Sequence, residues 1–288
     1  MEVDAAAPDR VAVDLEEARL RGWRSIRHVN GVLRTPGFAR VGQLVPDDQE
    51  LLTVPVGTKV GSALDVMRAH DYDQLPVVTA AQRVIGVFTY RSMAGGLPLL
   101  RNDALNATVE DHLEELRFVR SSQELGEVLT FVEQGNALLV GDEDRLLAIV
   151  TPADVSRFLW HRTRPFVLLQ DIELGVRDLM RSACDAGSLP GLIAASVPAD
   201  PGRSRSRLED LTMAELLSVL LNGENFGRFF RLRFGNNRDL VRSTLDPVRE
   251  IRNKVFHFRA EPSPDELENL AAALTWVRRR VMIRGEAK

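Results

Sequence analysis

The chain has 288 residues, of which 44% are hydrophobic and 27% charged; this is globular usage, long enough for two domains and too apolar for a disordered chain. One cysteine, Cys184, excludes an internal disulfide framework and a Cys-built zinc site, and five scattered histidines with no pair at ligand spacing argue against a metal centre. The net charge of −4 hides an asymmetry: residues 1–163 hold 17 Lys/Arg against 24 Asp/Glu, and residues 164–288 hold 20 against 17, so only the second half suits a polyanionic partner.

The first ten residues carry Glu2, Asp4 and Asp9 without an apolar core and do not read as a secretory signal. The longest apolar stretches, such as Gly191 to Val197, are far too short to span a bilayer, so a cytoplasmic protein without membrane contact is expected. Residues 1–40 read as an N-terminal extension, with Leu15 to Val29 predicted as a short helix packed on the folded region.

Two segments of the first half then repeat one order of elements. In residues 54–92 a short strand near Val54 precedes a helix with Val60, Ala63, Leu64 and Met67 at i, i+3, i+4, i+7. Apolar strands follow at Gln74 to Val78 and Val84 to Thr89. Residues 119–154 give a strand near Val119, a helix with Leu125, Val128, Leu129 and Val132 on one face, and strands around Leu139 and Ile149. Asp142-Glu143-Asp144 between the last two reads as a tight hairpin. Helices that cover one face of such strands bury themselves against a twin unit.

The repeats resemble a pair of CBS domains, the Bateman module, over roughly residues 40–162, divided as 41–98 and 99–163. The motif that carries the resemblance is Thr/Ser-x-x-Asp at the start of the last helix. The second repeat has it as Thr151-Pro152-Ala153-Asp154; the first has Thr89-Tyr90-Arg91-Ser92, with serine in place of the aspartate. The resemblance implies clefts for an adenine nucleotide (ATP, AMP or a cyclic dinucleotide). A carboxylate at Asp154 suits vicinal ribose hydroxyls, and the helix N-terminus beside Thr151 and Thr89 suits phosphate. Arg120, after the first strand of the second repeat, is a candidate phosphate contact. The competing reading makes Thr151 an N-cap, Pro152 the first helical residue and Asp154 a complement to the helix dipole.

From Pro165 the pattern turns helical. Phe166, Leu169, Ile172, Val176 and Met180 form a stripe. Residues 185–207, rich in Gly, Pro and Arg/Ser pairs, read as a mobile loop. A helix follows Thr212, another is predicted to start at Asp246-Pro247 with Val248, Ile251 and Val255 inward, and Ser263-Pro264-Asp265-Glu266 is a capping box opening a last helix. The expected fold is thus α+β: tandem CBS domains followed by an all-α four-helix bundle over residues 164–288. Glu173 and Arg177, one turn apart, read as a surface ion pair.

Ile251-Arg252-Asn253-Lys254-Val255-Phe256-His257 near a helix end resembles the signature of HEPN domains, helical bundles that dimerise and in many members cleave RNA without metal. Arg21 and His28 share a compatible spacing but lack the following asparagine and the helix punctuation. The resemblance implies catalytic roles for Arg252, Asn253 and His257. Histidine's ordinary pKa near neutrality suits both proton transfers of RNA cleavage, and the arginine fork matches the charge that builds on phosphate. Five residues along a helix is about 140° of azimuth, so Arg252 and His257 converge only if His257 leaves the helix or a second chain contributes. The sequence therefore points to a nucleotide-regulated endoribonuclease, a homodimer through both regions, with RNA as substrate, an adenine nucleotide as regulatory ligand and no cofactor for catalysis. The alternative is a noncatalytic nucleotide-sensing scaffold whose helical domain binds RNA or a protein.

Overall fold

The computed structural model describes residues 24–27, 39–45, 49–96, 104–142, 145–200, 202–203 and 205–285. They fall into two compact units, Met1–Leu159 and Trp160–Lys288, a division four residues before the one that the change of pattern predicts.

The first unit contains two sheets. Strands β1 (Arg24–Arg27), β2 (Glu50–Pro55), β3 (Gln74–Val78), β4 (Val84–Thr89) and β5 (Leu113–Glu114) form one, in that spatial order. Strands β6 (Phe118–Val119), β7 (Leu138–Asp142) and β8 (Arg145–Val150) form the other. In each, a parallel pair (β2 with β3, β6 with β7) is followed by an antiparallel one (β3 with β4, β7 with β8). The parallel pairs need a crossover, which helices α1 (Val60–His70) and α3 (Leu125–Gly135) supply. The repeat read from the sequence is therefore present element by element. Both crossover helices end on a left-handed residue, Asp71 at φ 57° and Asn136 at φ 58°, the two side-chain types that most readily replace glycine there.

The N-terminal expectation needs correction. Arg24–Arg27 pair antiparallel with β2, Ser25 opposite Leu52, so this part of the predicted helix is a strand; an open strand edge offers unpaired N–H and C=O groups that an extended chain satisfies. Residues 15–23 and 28–29 lie outside the described residues.

The repeats also exchange their leading segments. Val41 and Leu44, at the start of the first repeat, are buried in the core of the second, with Val119, Leu125 and Val150. There the Val41 N–H donates to the Gln123 carbonyl at 3.0 Å. Reciprocally, Val109 is buried in the core of the first repeat with Val60 and Phe88, and the Val60 N–H donates to Ala107 at 2.9 Å. A third cluster joins the sheets, Leu51, Val78 and Val87 against Leu139, Leu146 and Ile149. Helix α2 (Tyr90–Gly96) closes the first repeat, and α4 (Pro152–Ala183) follows the second. The division between the units falls inside α4, which also contains Pro165.

The second unit is helical. Its core joins Leu169, Ile172, Val176 and Met180 of α4 to residues of α6 (Met213–Leu221), α7 (Arg238–Phe256) and α8 (Pro264–Gly285). Part of the expected loop is instead helix α5 (Leu189–Ser196), because Ile193 and Val197 reach this core and Pro190 suits a first turn. Helix α7 begins well before Asp246-Pro247: Asn237 is its N-cap, accepting the Leu240 N–H at 3.0 Å. Asp246 lies within the helix beside Arg249 at 3.7 Å. An interior proline costs about 3 kcal/mol, which the burial of Val241, Leu245, Val248, Ile251 and Val255, about 1.5–3 kcal/mol each, readily offsets. The Ser263/Glu266 capping box forms as expected, with bonds of 2.7 and 3.2 Å. Arg177 is not a surface residue: besides Glu173 it holds the Leu208 carbonyl at 3.2 Å with its side chain 14% exposed. No described helix is long and apolar enough to cross a membrane.

Candidate functional site

In each repeat a threonine stands where the strand gives way to the next helix and caps it: Thr89 is the last residue of β4, and Thr151 directly follows β8. In the second repeat the Thr151 N–H and hydroxyl donate to Asp154 Oδ2 at 2.9 and 2.7 Å, and the Asp154 N–H approaches Thr151 Oγ1 at 3.4 Å. This is a reciprocal box built with aspartate. The other carboxylate oxygen accepts from Arg157 at 3.2 Å, and Asp154 is only 9% exposed. In the first repeat a serine hydroxyl fills the same place: the Thr89 N–H donates to Ser92 Oγ and the Ser92 N–H to Thr89 Oγ1, each at 2.9 Å. The departure from the family motif at Ser92 therefore keeps the cap while removing a charge.

Both caps open onto one cleft of about 400 Å³, lined by residues 89–91 of the first repeat and 151–153 of the second, with Gln74, Glu114 and Asn136. Thr89 donates its hydroxyl to Glu114 at 2.9 Å, and Arg91 pairs with the other oxygen of that carboxylate. The cleft thus presents a guanidinium, the first turn of the long helix α4 and the half-exposed ring of Tyr90. Arg91 is balanced by Glu114 and Asp73 adds a second carboxylate to the lining, so the features that complement a phosphate and a base are the helix N-terminus and the aromatic face.

Of the residues selected from the sequence for nucleotide binding, Thr89 and Thr151 lie in this cleft. Asp154 stands one residue behind its wall, engaged in the cap. Arg120 is exposed at the end of β6, its backbone N–H bonded to Gln123 Oε1 at 2.8 Å, and is not among the residues that line the cleft. Sequence reasoning missed Glu114, from a two-residue strand too short to read, and Tyr90 and Arg91, visible only as the variable middle of the motif.

The second candidate region is the end of α7. Phe256 is the last helical residue; His257 has φ −96° and ψ 7°, and Phe258 is left-handed at φ 51°. The Phe258 N–H reaches the Val255 carbonyl at 3.1 Å and the Arg259 N–H that of Lys254 at 3.0 Å, a Schellman closure with phenylalanine where glycine is usual. His257 is the C-cap, its N–H still bonded to the Asn253 carbonyl at 3.3 Å, so its azimuthal separation from Arg252 is kept and convergence of the two falls to a second chain. The Arg252 guanidinium lies 4.7 Å over the Phe256 ring, which packs edge-on against Phe166 at 5.5 Å, 70° between planes. Arg252 Nε is buried without a hydrogen-bond partner. His257 and Asn253 are exposed. Among the described residues no side-chain hydrogen bond joins Arg252, Asn253 and His257 to one another. Lys254, inside the motif, is bonded to Glu266 at 2.7 Å, and that bond with the Ser263 N–H holds the Glu266 carboxyl below its ordinary range. Arg21 and His28 lie outside the described residues.

Residues 41–97 match the family model of the CBS domain. An uncharacterized protein of Methanocaldococcus jannaschii, MJ1225, is 30% identical over 140 residues, covering 42% of this chain and 50% of that one. Cystathionine beta-synthase of Dictyostelium discoideum is 22% identical over 113 residues, 38% of this chain and 23% of that one. The chain spans half or less of the length of these curated relatives. Among solved structures it is similar to the CBS-domain containing protein ATU1752 from Agrobacterium tumefaciens, at 19% identity over 44% of this chain and 98% of that one, TM-score 0.39. The CBS domain pair of protein MJ0100, in complex with 5′-methylthioadenosine and S-adenosyl-L-methionine, is 19% identical over 43% of this chain and 97% of that one, TM-score 0.37. Residues 41–97 are accordingly a CBS domain within an α+β region, and a helical region follows it.

Proposed function

We propose that the CBS region, as a pair over 41–98 and 99–163, binds an adenine nucleotide and that the helical region is a metal-independent, HEPN-like endoribonuclease working as a homodimer, its activity set by the nucleotide. The observation that supports the nucleotide reading most is the meeting of both threonine caps in one cleft with Arg91 and Tyr90. Phosphate faces the first turn of α4 and the Arg91 guanidinium, and the base stacks on Tyr90.

The observation that supports the nuclease reading is the placement of His257 past the last turn of α7, exposed, with the Arg252 guanidinium fixed on Phe256. An imidazole takes the proton of a ribose 2′-hydroxyl as its oxygen attacks the adjacent phosphorus. An imidazolium, supplied by the second motif of the dimer, protonates the departing 5′-oxygen as the P–O5′ bond breaks. The products are a 2′,3′-cyclic phosphate and a 5′-hydroxyl. Arg252 stabilises the charge on the phosphate oxygens, and Asn253 orients them.

Titration calorimetry with ATP, AMP and cyclic dinucleotides tests the first part; absence of heat with the whole panel rejects it. Incubation of labelled RNA with the chain in EDTA tests the second: cleavage is expected, and His257→Ala abolishes it. A noncatalytic scaffold is favoured by one observation, the half-buried stack of Arg252 on Phe256, which would serve packing alone. In that case Arg252→Ala lowers the melting temperature without any RNA cleavage to lose.

A further inference from the structure

Next to the motif lies a cavity of about 330 Å³, all of whose lining residues fall within the unit Trp160–Lys288. Its walls are mainly apolar, with Pro165 and Phe166 on one side and Val255, Pro262 and Leu267 on the other; His161, Arg162 and Glu261 add polar groups. We infer that this cavity is the base-binding subsite of the proposed nuclease and takes one unstacked nucleobase of single-stranded RNA. The inference rests on the nuclease reading and adds the form of substrate: a strand whose bases are free to leave the stack.

Three observations carry it. The first is Phe258, which lines the cavity, is 85% exposed and holds a left-handed backbone at φ 51°. A bulky side chain at positive φ is an outlier, and glycine is the residue that such a helix end prefers. The chain therefore keeps a strained backbone and a solvated ring where glycine would relieve both, and strain of this kind gathers at functional sites. A ring held open at the rim of a cavity is a stacking platform for a base.

The second is size and character. The volume sits at the small end of ligand pockets, roughly 300–1,000 Å³, whose walls are usually apolar with a few polar groups to fix orientation. The third is continuity with the motif. Phe166 lines the cavity and packs on Phe256, Phe256 carries the Arg252 guanidinium, and His257 immediately precedes Phe258. A base on Phe258 thus brings its phosphate beside the imidazole and the guanidinium. The charged groups facing the cavity balance, Arg162 against Glu261, which it approaches at 3.9 Å, and His161 adds an imidazole able to hydrogen-bond a base.

The test measures fluorescence anisotropy of a labelled single-stranded oligoribonucleotide with the full chain carrying His257→Ala, so that RNA binds uncut. Adding Phe258→Gly is expected to weaken binding about 10-fold or more, the scale of one lost base–aromatic stack. Phe258→Tyr keeps affinity within about 2-fold, because the ring remains. Phe258→Gly holds or raises the melting temperature, since glycine suits the left-handed position, so lost affinity cannot be lost folding. Equal affinity with and without the ring, or no binding of the oligonucleotide to the His257→Ala chain, overturns the subsite. Cleavage by the unaltered chain, followed in EDTA, separates the two claims. RNA cut equally by the Phe258→Gly chain removes the subsite and leaves the nuclease. Ring-dependent binding with no cleavage by the unaltered chain removes the nuclease and leaves the subsite.

Discussion

The Asp154 carboxylate offers about four lone-pair directions, and three of them meet the Thr151 N–H, the Thr151 hydroxyl and Arg157. A ribose diol approaching this carboxylate finds one free acceptor on Oδ1, and gains a second only if the solvent-facing Arg157 turns away. Asp154→Asn separates the two roles. The amide oxygen still accepts from Thr151, so the melting temperature stays close to that of the unaltered chain, whereas Asp154→Ala loses the cap at about 0.5–2 kcal/mol. Nucleotide affinity by calorimetry falls about 10-fold in Asp154→Asn, as expected for one charge-assisted hydrogen bond of about 1.5–3 kcal/mol. Unchanged affinity would mean that the carboxylate is only a cap. The motif was legible in the sequence and its occupancy was not, because a helix cap and a ribose ligand call for the same residue types at the same spacing. At the α7 terminus the sequence likewise marked Arg252 and His257. It could not show that phenylalanine occupies the left-handed position, since nothing in the local composition forces the helix to close there rather than a turn later.

Among the elements, α7 shows where helix punctuation misleads. Asp246-Pro247 has the chemistry of a helix start, but the apolar period runs through it from Val241 to Val255, and tertiary burial outweighs the local signal. Pro247→Ala returns an N–H to the helix interior and should stabilise the chain by on the order of 1–2 kcal/mol, less than the full proline penalty because the unfolded chain also gains freedom; chemical denaturation measures it. The exchange of residues 41–45 and 104–112 between repeats was illegible for a different reason. Each holds a single 3-10 turn, too short for a period, and their burial depends on partners some eighty residues away in sequence for the first and some fifty for the second. The Lys254–Glu266 tie between α7 and α8 gives a pH test. The folded-state pKa of Glu266 is lowered by Lys254 and by its cap bond to Ser263. A depressed carboxyl adds stability above its unfolded pKa and loses it as pH falls through the folded value. The unaltered chain should therefore melt above Glu266→Gln at neutral pH. The gap should close below about the ordinary carboxyl value of 4.5. A gap independent of pH would show that the charge on Glu266 contributes nothing.

At the scale of the whole chain, each buried cluster among the described residues belongs to one unit: three to the first unit and one to the helical unit. The two compact units are joined through helix α4, and chains of more than one such unit depart from a single all-or-none transition, so calorimetry is expected to show two thermal transitions. A ligand stabilises only the block that binds it, by RT ln(1 + [L]/Kd), about 2.7 kcal/mol at a hundredfold excess over Kd. An adenine nucleotide should thus raise the transition of the CBS region, and a non-cleavable RNA that of the helical region. Regulation demands more than two independent shifts. If the nucleotide changes the affinity for RNA by some factor, RNA must change the affinity for the nucleotide by the same factor, because the coupling free energy is a property of the pair. Calorimetric titration of nucleotide with and without bound RNA, and of RNA with and without nucleotide, gives that factor twice. Two equal factors different from one establish a switch and give its sign. Two factors of one leave a sensor and a nuclease joined in one chain without communication, and the regulatory half of the proposal falls while both binding sites stand.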